Sequence, residues 1–427
     1  LLLKASGGMP HGGGIRIRRN SGEYRVLHDW ILGGANASYP DAAKLASILI
    51  TPQDSRMAME ATRQLQVTAR FSDGREIDVT HLAKFQSNSE PLATVDEYGL
   101  VTASDSPGEA AIMASYLGQV DVFRAIVPQP QPENGSDFPQ EPVLNFIDEL
   151  VDAKLRKLNI HPVGLCSDAD FLRRAYLDII GTLPTAAAAR EFLEDVSAAK
   201  RSKLVASLLT RKEYADFQAL KWSDVLRVDR LALGHKQAYV YYRWVRDAFA
   251  RNRPFDDVAL EIITATGPLA QNPAGNIFKV AKKPGEVAAT LSQVFMGIRI
   301  ECAQCHHHPF DQWSQRDYYG MEAFFTQVNF KSTPAGQVLI PNKKSTTKHP
   351  RTGDVVQAHA LLQDEPAETP EGDRRRVFAD WLTADDNRWF ARNIVNRVWA
   401  QLMGRGLVMP VDDFRVTNPP TNPVLLD

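Results

Sequence analysis

Pro128-Gln-Pro-Gln-Pro-Glu-Asn-Gly-Ser-Asp-Phe-Pro-Gln-Glu-Pro142 divides the sequence into two kinds of hydrophobic pattern. Proline fixes φ and removes a backbone donor, so this stretch favours an extended chain and sustains neither a helix nor an inner strand. Residues 129–143 therefore read as a linker. Upstream, apolar residues recur at every second position; downstream they recur every three or four.

On the upstream side Leu65, Val67, Ala69 and Phe71 alternate with polar residues, and Asp73-Gly74 supplies a hairpin turn before Ile77 and Val79. Short alternating runs follow at Val95, Leu100-Val101, Ala110 to Tyr116 and Val120-Val122. That spacing predicts an Ig-like all-β sandwich over residues 49–128. Residues 1–48, with the turn His11-Gly12-Gly13-Gly14 and an amphipathic segment from Tyr24 to Ile31, are too short for a core of their own.

On the downstream side Phe146, Ile147, Leu150, Val151, Leu155 and Leu158 form one helical stripe. Phe171, Leu172, Tyr176 and Ile179 form another, ending at Gly181, and Thr185 reads as the N-cap of a further helix. Residues 144–330 are thus expected to be a mainly α-helical domain. Residues 331–373, rich in Pro, Thr, Lys, Gln and Glu, read as an irregular connection. Helical pattern resumes over 374–427, an α-helical C-terminal fragment whose apolar face holds Phe378, Trp381, Leu382, Phe390, Val395 and Trp399. Asp256-Asp257, Asp385-Asp386 and Asp412-Asp413 read as caps and turns.

At 427 residues the chain exceeds what one core usually serves, so a multidomain protein is expected. Its 49 Lys+Arg against 51 Asp+Glu give a net charge of −2, which offers no pull toward polyanions; nucleic acid is not an expected partner. Apolar stretches fall short of the ~20 residues that span a bilayer, so no transmembrane segment is expected. The chain opens on Leu-Leu-Leu-Lys without Met and stops at Pro-Val-Leu-Leu-Asp, and we read it as an internal fragment of a longer protein. Three cysteines exclude a disulfide-rich scaffold.

Two of those cysteines stand in Glu301-Cys-Ala-Gln-Cys-His-His-His-Pro-Phe-Asp311. Two thiols at this spacing reach the two vinyl groups of one porphyrin, and the imidazole that follows falls beneath the iron. Cys302 and Cys305 are the candidate thioether anchors of haem c, and His306 the candidate proximal ligand. A rival occupant is zinc, which also takes Cys and His ligands and for which His308 is a candidate. Structural zinc usually draws a second ligand pair from a distant segment, however, and no second C-x-x-C exists. A thiol pair that merely braces a loop is the third reading.

Met296, Met321, His161, His235, His349 and His359 are candidates for the sixth haem position, and spacing favours none of them. Asp311 is a candidate carboxylate behind a metal-bound imidazole, with a local turn as the competing role. Trp313, Tyr318, Tyr319, Phe324 and Phe325 read first as core. Cys166, without a Cys or His close by downstream, reads as a buried structural thiol. G-x-S-x-G, H-E-x-x-H and phosphate-loop motifs are absent, and no catalytic residue is assigned.

The sequence resembles a family of large secreted proteins of planctomycetes and related bacteria. They join a planctomycete-type cytochrome c domain, a bacterial Ig-like group 2 domain and two domains of unknown function. Leu1-Leu-Leu-Lys-Ala-Ser-Gly-Gly-Met-Pro-His-Gly-Gly-Gly14 and Trp30-Ile-Leu-Gly-Gly-Ala35 look like the tail of the cytochrome domain, its own haem pentapeptide cut away. Thr68-Ala-Arg-Phe-Ser-Asp-Gly74 and Val95-Asp-Glu-Tyr-Gly-Leu-Val-Thr-Ala103 look like the Ig-like domain. Phe171-Leu-Arg-Arg-Ala-Tyr-Leu-Asp-Ile-Ile-Gly-Thr-Leu-Pro184 and Cys302 to Trp313 look like the first unknown domain. Ala391-Arg-Asn-Ile-Val-Asn-Arg-Val-Trp399 and Gly404-Arg-Gly-Leu-Val-Met-Pro-Val-Asp-Asp-Phe414 look like the second.

The resemblance implies export to the periplasm or cell surface. With the Cys/His pentapeptide it gives as the expectation a haem c-binding redox protein, for electron transfer or haem-dependent chemistry linked to polysaccharide breakdown. Its partner would be a redox protein or a polysaccharide. The alternative is a cell-surface binding or scaffold protein with a structural Cys/His metal site such as zinc.

Overall fold

The structure is a computed structural model and describes residues 1–10, 12, 14–36, 42–131, 138, 143–308, 311–334, 336–341, 346–361, 363, 366–367 and 372–427. The chain forms two compact units, one of residues 1–47 and 69–77 and the other of residues 48–68 and 78–427. Most of the expected linker lies outside the described residues.

The smaller unit carries α1 (Leu2–Ala5) and α2 (Gly22–Leu32), the latter capped by Ser21, whose Oγ accepts the Tyr24 N–H at 3.2 Å. Val26 and Leu32 of α2 stay exposed. The Asp73-Gly74 turn forms as its sequence demands. Gly74 sits at φ +84°, and Phe71 N–H donates to Arg75 O at 3.0 Å.

The N-terminal region is β-rich: β1 (Leu45–Thr51), β2 (Asp54–Arg56), β3 (Thr62–Gln64), β4 (Gln66–Phe71), β5 (Glu76–Asp78), β6 (Lys84–Ser87), β7 (Ala93–Val95), β8 (Leu100–Ala103), β9 (Gly108–Tyr116) and β10 (Gln119–Val127). They form three sheets, ordered β1-β4-β5, β2-β10-β9-β6 and β3-β8-β7. In the larger unit β9 and β10 make a long hairpin with Tyr116 opposite Gln119. Its two turn residues, Leu117 and Gly118, both take positive φ, as the twist of a two-residue hairpin requires. The expected antiparallel pattern breaks at β2, which pairs parallel to β10.

The helical part follows with α3 (Phe146–Lys157), α4 (Asp168–Ile180), α5 (Ala186–Glu194), α6 (Lys200–Leu209), α7 (Lys212–Val225), α8 (Arg230–Leu233), α9 (His235–Ala250), α10 (Phe255–Ile263), α11 (Ile277–Val280), α12 (Pro284–Leu291), α13 (Gln315–Ala323), α14 (Arg374–Leu382), α15 (Arg388–Met403) and α16 (Pro423–Leu426). Gly181 closes α4 in the left-handed region at φ +71°, and Thr185 Oγ accepts the Ala188 N–H at 3.2 Å to open α5. Both caps match the sequence reading. Among the described residues no helix is long and apolar enough to cross a membrane.

Two expectations are corrected. Residues at the start of the supposed irregular connection fold as a hairpin, β12 (Val328–Thr333) against β13 (Gly336–Pro341), with β11 (Gly267–Pro268) along the other side of β13. The polar composition hid it, because only Leu339 of β13 needs full burial and pairing with β11 comes from far away in sequence. Cys166 is exposed rather than buried, on the irregular segment before α4, where its carbonyl accepts from Arg201 Nη2 at 2.8 Å.

The main core of the larger unit is aromatic. Phe378 of α14 packs against Phe324 and Phe325 with ring centroids 5.5 and 5.2 Å apart, so the C-terminal helices complete the core that the central helices begin. Trp313, Tyr318, Tyr319, Phe324 and Phe325 are all buried, as expected of core. The β-rich region meets the helices through polar contacts. Lys154 and Lys157 of α3 both engage Glu109 of β9, and Gln129 N–H donates to Leu158 O at 2.8 Å.

Candidate functional site

The Cys/His turn hangs from an anchored segment. A π-helical turn, Ser292–Met296, is closed by Gly297 at φ +69°, where a Cβ would stand 2.6 Å from the Phe414 ring. Phe414 N–H donates to Gly297 O at 2.8 Å, and Ile298 and Ile300 then point into the core. The 3₁₀ turn Glu301–Gln304 follows, and of its side chains only Ala303 is buried.

Cys302 and Cys305 are both exposed. Cys302 lies on this turn and Cys305 caps its C-terminal end. His306 follows, exposed, with Nδ1 2.7 Å from His307 O. A carbonyl only accepts, so Nδ1 carries the hydrogen and Nε2 keeps its lone pair for a metal. The group behind this imidazole is thus a backbone carbonyl. Two thiols and one free imidazole nitrogen within five residues are the donor set that covalent haem requires, and the chain fits that group.

The turn is held from outside by α13. Gln304 O accepts from Tyr319 Oη and from Gln315 Nε2, each at 3.1 Å. Ser314 and Asp317 close a reciprocal cap at the start of that helix. Tyr319 also stands edge-on to His349 at 5.8 Å, which ties one sixth-position candidate to the turn. His349 Nδ1 accepts the Thr352 N–H at 3.3 Å. Met296 and Met321 are packed fully inside the core, His359 is buried beside Asp317, and His161 packs on Phe138. His235 opens α9.

His308, the candidate ligand of the zinc reading, is buried. Burial, helped by the Arg415 charge, pushes its imidazole down to about 4. Among the described residues no group of three or more His, Cys, Asp or Glu side chains gathers to hold a metal ion. Asp311 is also buried; its Oδ1 accepts the Gln312 N–H at 2.9 Å, and burial pushes its carboxyl up to about 6.

The raised value has a defined sign. Between the ordinary carboxylate value of 3.8 and about 6 the folded chain holds a proton that the unfolded chain releases. Stability therefore falls as pH rises through that window and levels above it. Asp311→Asn keeps the Oδ1 acceptor without the charge. It is expected to gain about 1–3 kcal/mol over wild type on going from pH 4 to pH 7. Urea midpoints of both proteins across that range check this; a constant difference would contradict it.

Sequence reading missed Asn393 and Asn396, both fully buried on α15. Asn393 Nδ2 donates to Val294 O at 2.7 Å, holding the π-helical turn that leads to the Cys/His turn. The available signal was two asparagines three apart within a helical stretch, where Asn is a poor helix former.

Residues 146–330 match the family described as PSCyt2, protein of unknown function (DUF1549). Residues 374–427 match the family described as PSD1, protein of unknown function (DUF1553). The first match takes in the Cys/His turn and the second the asparagine-bearing helix. No curated protein matches the chain.

Proposed function

We propose that the chain is part of an exported haem c-binding redox protein, with Cys302 and Cys305 as thioether anchors and His306 as proximal ligand. The reading rests on one arrangement: two exposed thiols one 3₁₀ turn apart, followed by an imidazole whose Nδ1 is engaged with His307 O. Haem c, when bound, supplies one-electron chemistry. The protein's own part is positional. Ala303 seats the turn, α13 fixes Gln304 through Tyr319 and Gln315, and the His307 carbonyl sets the tautomer and orientation of His306.

The name PSCyt2 supports a cytochrome c link, and with it export. We carry the Ig-like identity of the β-rich region, the cytochrome tail at residues 1–48 and a polysaccharide-linked role as parts of the same proposal. The test is production in a host with haem c maturation machinery, directed to the periplasm. Denatured protein is expected to keep haem covalently and to show the reduced α band of a thioether-linked haem. Full maturation of a control cytochrome beside haem-free protein would reject the proposal.

A further inference from the structure

The stem that carries the Cys/His turn is not a continuous α-helix. In an α-helix the N–H groups of Gly297 and Ile298 would serve Gln293 O and Val294 O. Here both turn back to Ser292 O, the second at 3.2 Å, as the π-helical turn Ser292–Met296 demands. Two carbonyls thereby lose their helical donors, one of them on the buried Val294. A buried carbonyl without a donor is costly, so the stem keeps this form only where other groups supply the donors.

The donors come from α15. Asn393 Nδ2 reaches Val294 O at 2.7 Å and Arg397 Nη2 reaches Gln293 O at 3.0 Å. Arg397 Nε donates to Asn393 Oδ1 at 3.2 Å, which ties the two side chains together. They match the two carbonyls that a π turn, and not an α turn, leaves open. Asp412 closes the clamp: its Oδ2 accepts from Gln293 Nε2 at 2.6 Å and its Oδ1 from Arg299 Nη2, so one carboxylate spans the bend at Gly297. The Cys/His turn follows directly. Return of the stem to i→i+4 pairing would rotate the chain beyond it by roughly 100°, one residue's share of a helical turn. Gln304 would then leave the Tyr319 and Gln315 side chains that hold it.

We infer that Asn393, Arg397 and Asp412 are positioning residues of the Cys/His turn: by holding the stem in its π form they fix where Cys302, Cys305 and His306 stand. The consequence for haem loading rests on the haem assignment of that turn; the positioning does not.

Hydrogen exchange of the haem-free full chain, read peptide by peptide, tests the positioning. Asn393→Leu keeps the bulk and removes the amide. The backbone of residues 297–308 is expected to exchange at least about ten-fold faster than in wild type, with α4 to α6 unchanged. Leu208→Ala, in the separate core of those helices, controls for general destabilisation and is expected to do the reverse. Asp412 is only partly buried, so Asp412→Ala keeps the test open where Asn393→Leu does not fold. It is expected to speed the same amides, and Asp412→Asn, which keeps an acceptor for one of the two donors, to speed them less. Unchanged exchange at 297–308 in Asn393→Leu and Asp412→Ala, or equal acceleration there by Leu208→Ala, would overturn the inference. In a host with haem c maturation machinery, Asn393→Leu and Asp412→Ala are expected to attach less haem than Leu208→Ala; equal attachment would overturn the role in loading. Wild type without haem would reject the haem assignment alone, and the exchange result would still decide the positioning.

Discussion

Cys302→Ala/Cys305→Ala is expected to lose covalent haem entirely, whereas His306→Ala is expected to keep it with an altered spectrum. On the proposed assignment the two thiols would form the bonds to the porphyrin and the imidazole would bind only iron. After acid extraction with organic solvent, haem should partition into solvent from the double variant and stay with the polypeptide in His306→Ala. A zinc site predicts another pattern. Each of the three substitutions would then lower zinc content and local stability together, because each removes one ligand from a tetrahedral shell. Elemental analysis of the same samples distinguishes the two. One equivalent of zinc and no haem in matured wild type would overturn the assignment.

The second large effect is on stability. Asn396 is fully buried on α15 and holds the following segment by three hydrogen bonds: Nδ2 donates to Val408 O at 3.0 Å and Val411 O at 3.2 Å, while Oδ1 accepts the Val408 N–H at 3.0 Å. Asn396→Ala strips the partner from three backbone groups, two of them on the buried Val408. The expected loss is on the order of 3 kcal/mol, seen as a lower urea midpoint and earlier proteolysis near residues 404–414. Val395→Ala, at the neighbouring position with 45% exposure, should change stability by less than about 0.5 kcal/mol. Similar losses in both variants would show that the asparagine is not the anchor.

The sequence alone determined what depends on neighbours a few residues apart. The change of period across residues 129–143 separated β-rich from helical chain, because a strand exposes alternate residues and a helix every third or fourth. The stops at Gly181 and the start at Thr185 were legible because capping is decided by atoms within one turn. The Cys302, Cys305 and His306 pattern was legible for the same reason, since the donors lie within five residues.

Only the tertiary structure decided which polar residues lie inside and what they hold. Asn393 meets Val294 across 99 positions, and β11 reaches β13 from a separate part of the chain, so neither pairing leaves a local trace. The exposure of Cys166, against expectation, was settled by the path of the segment before α4. Local chemistry sets the shape of each segment, but burial is a property of the surfaces that come together, and those surfaces are assembled only when the chain has folded.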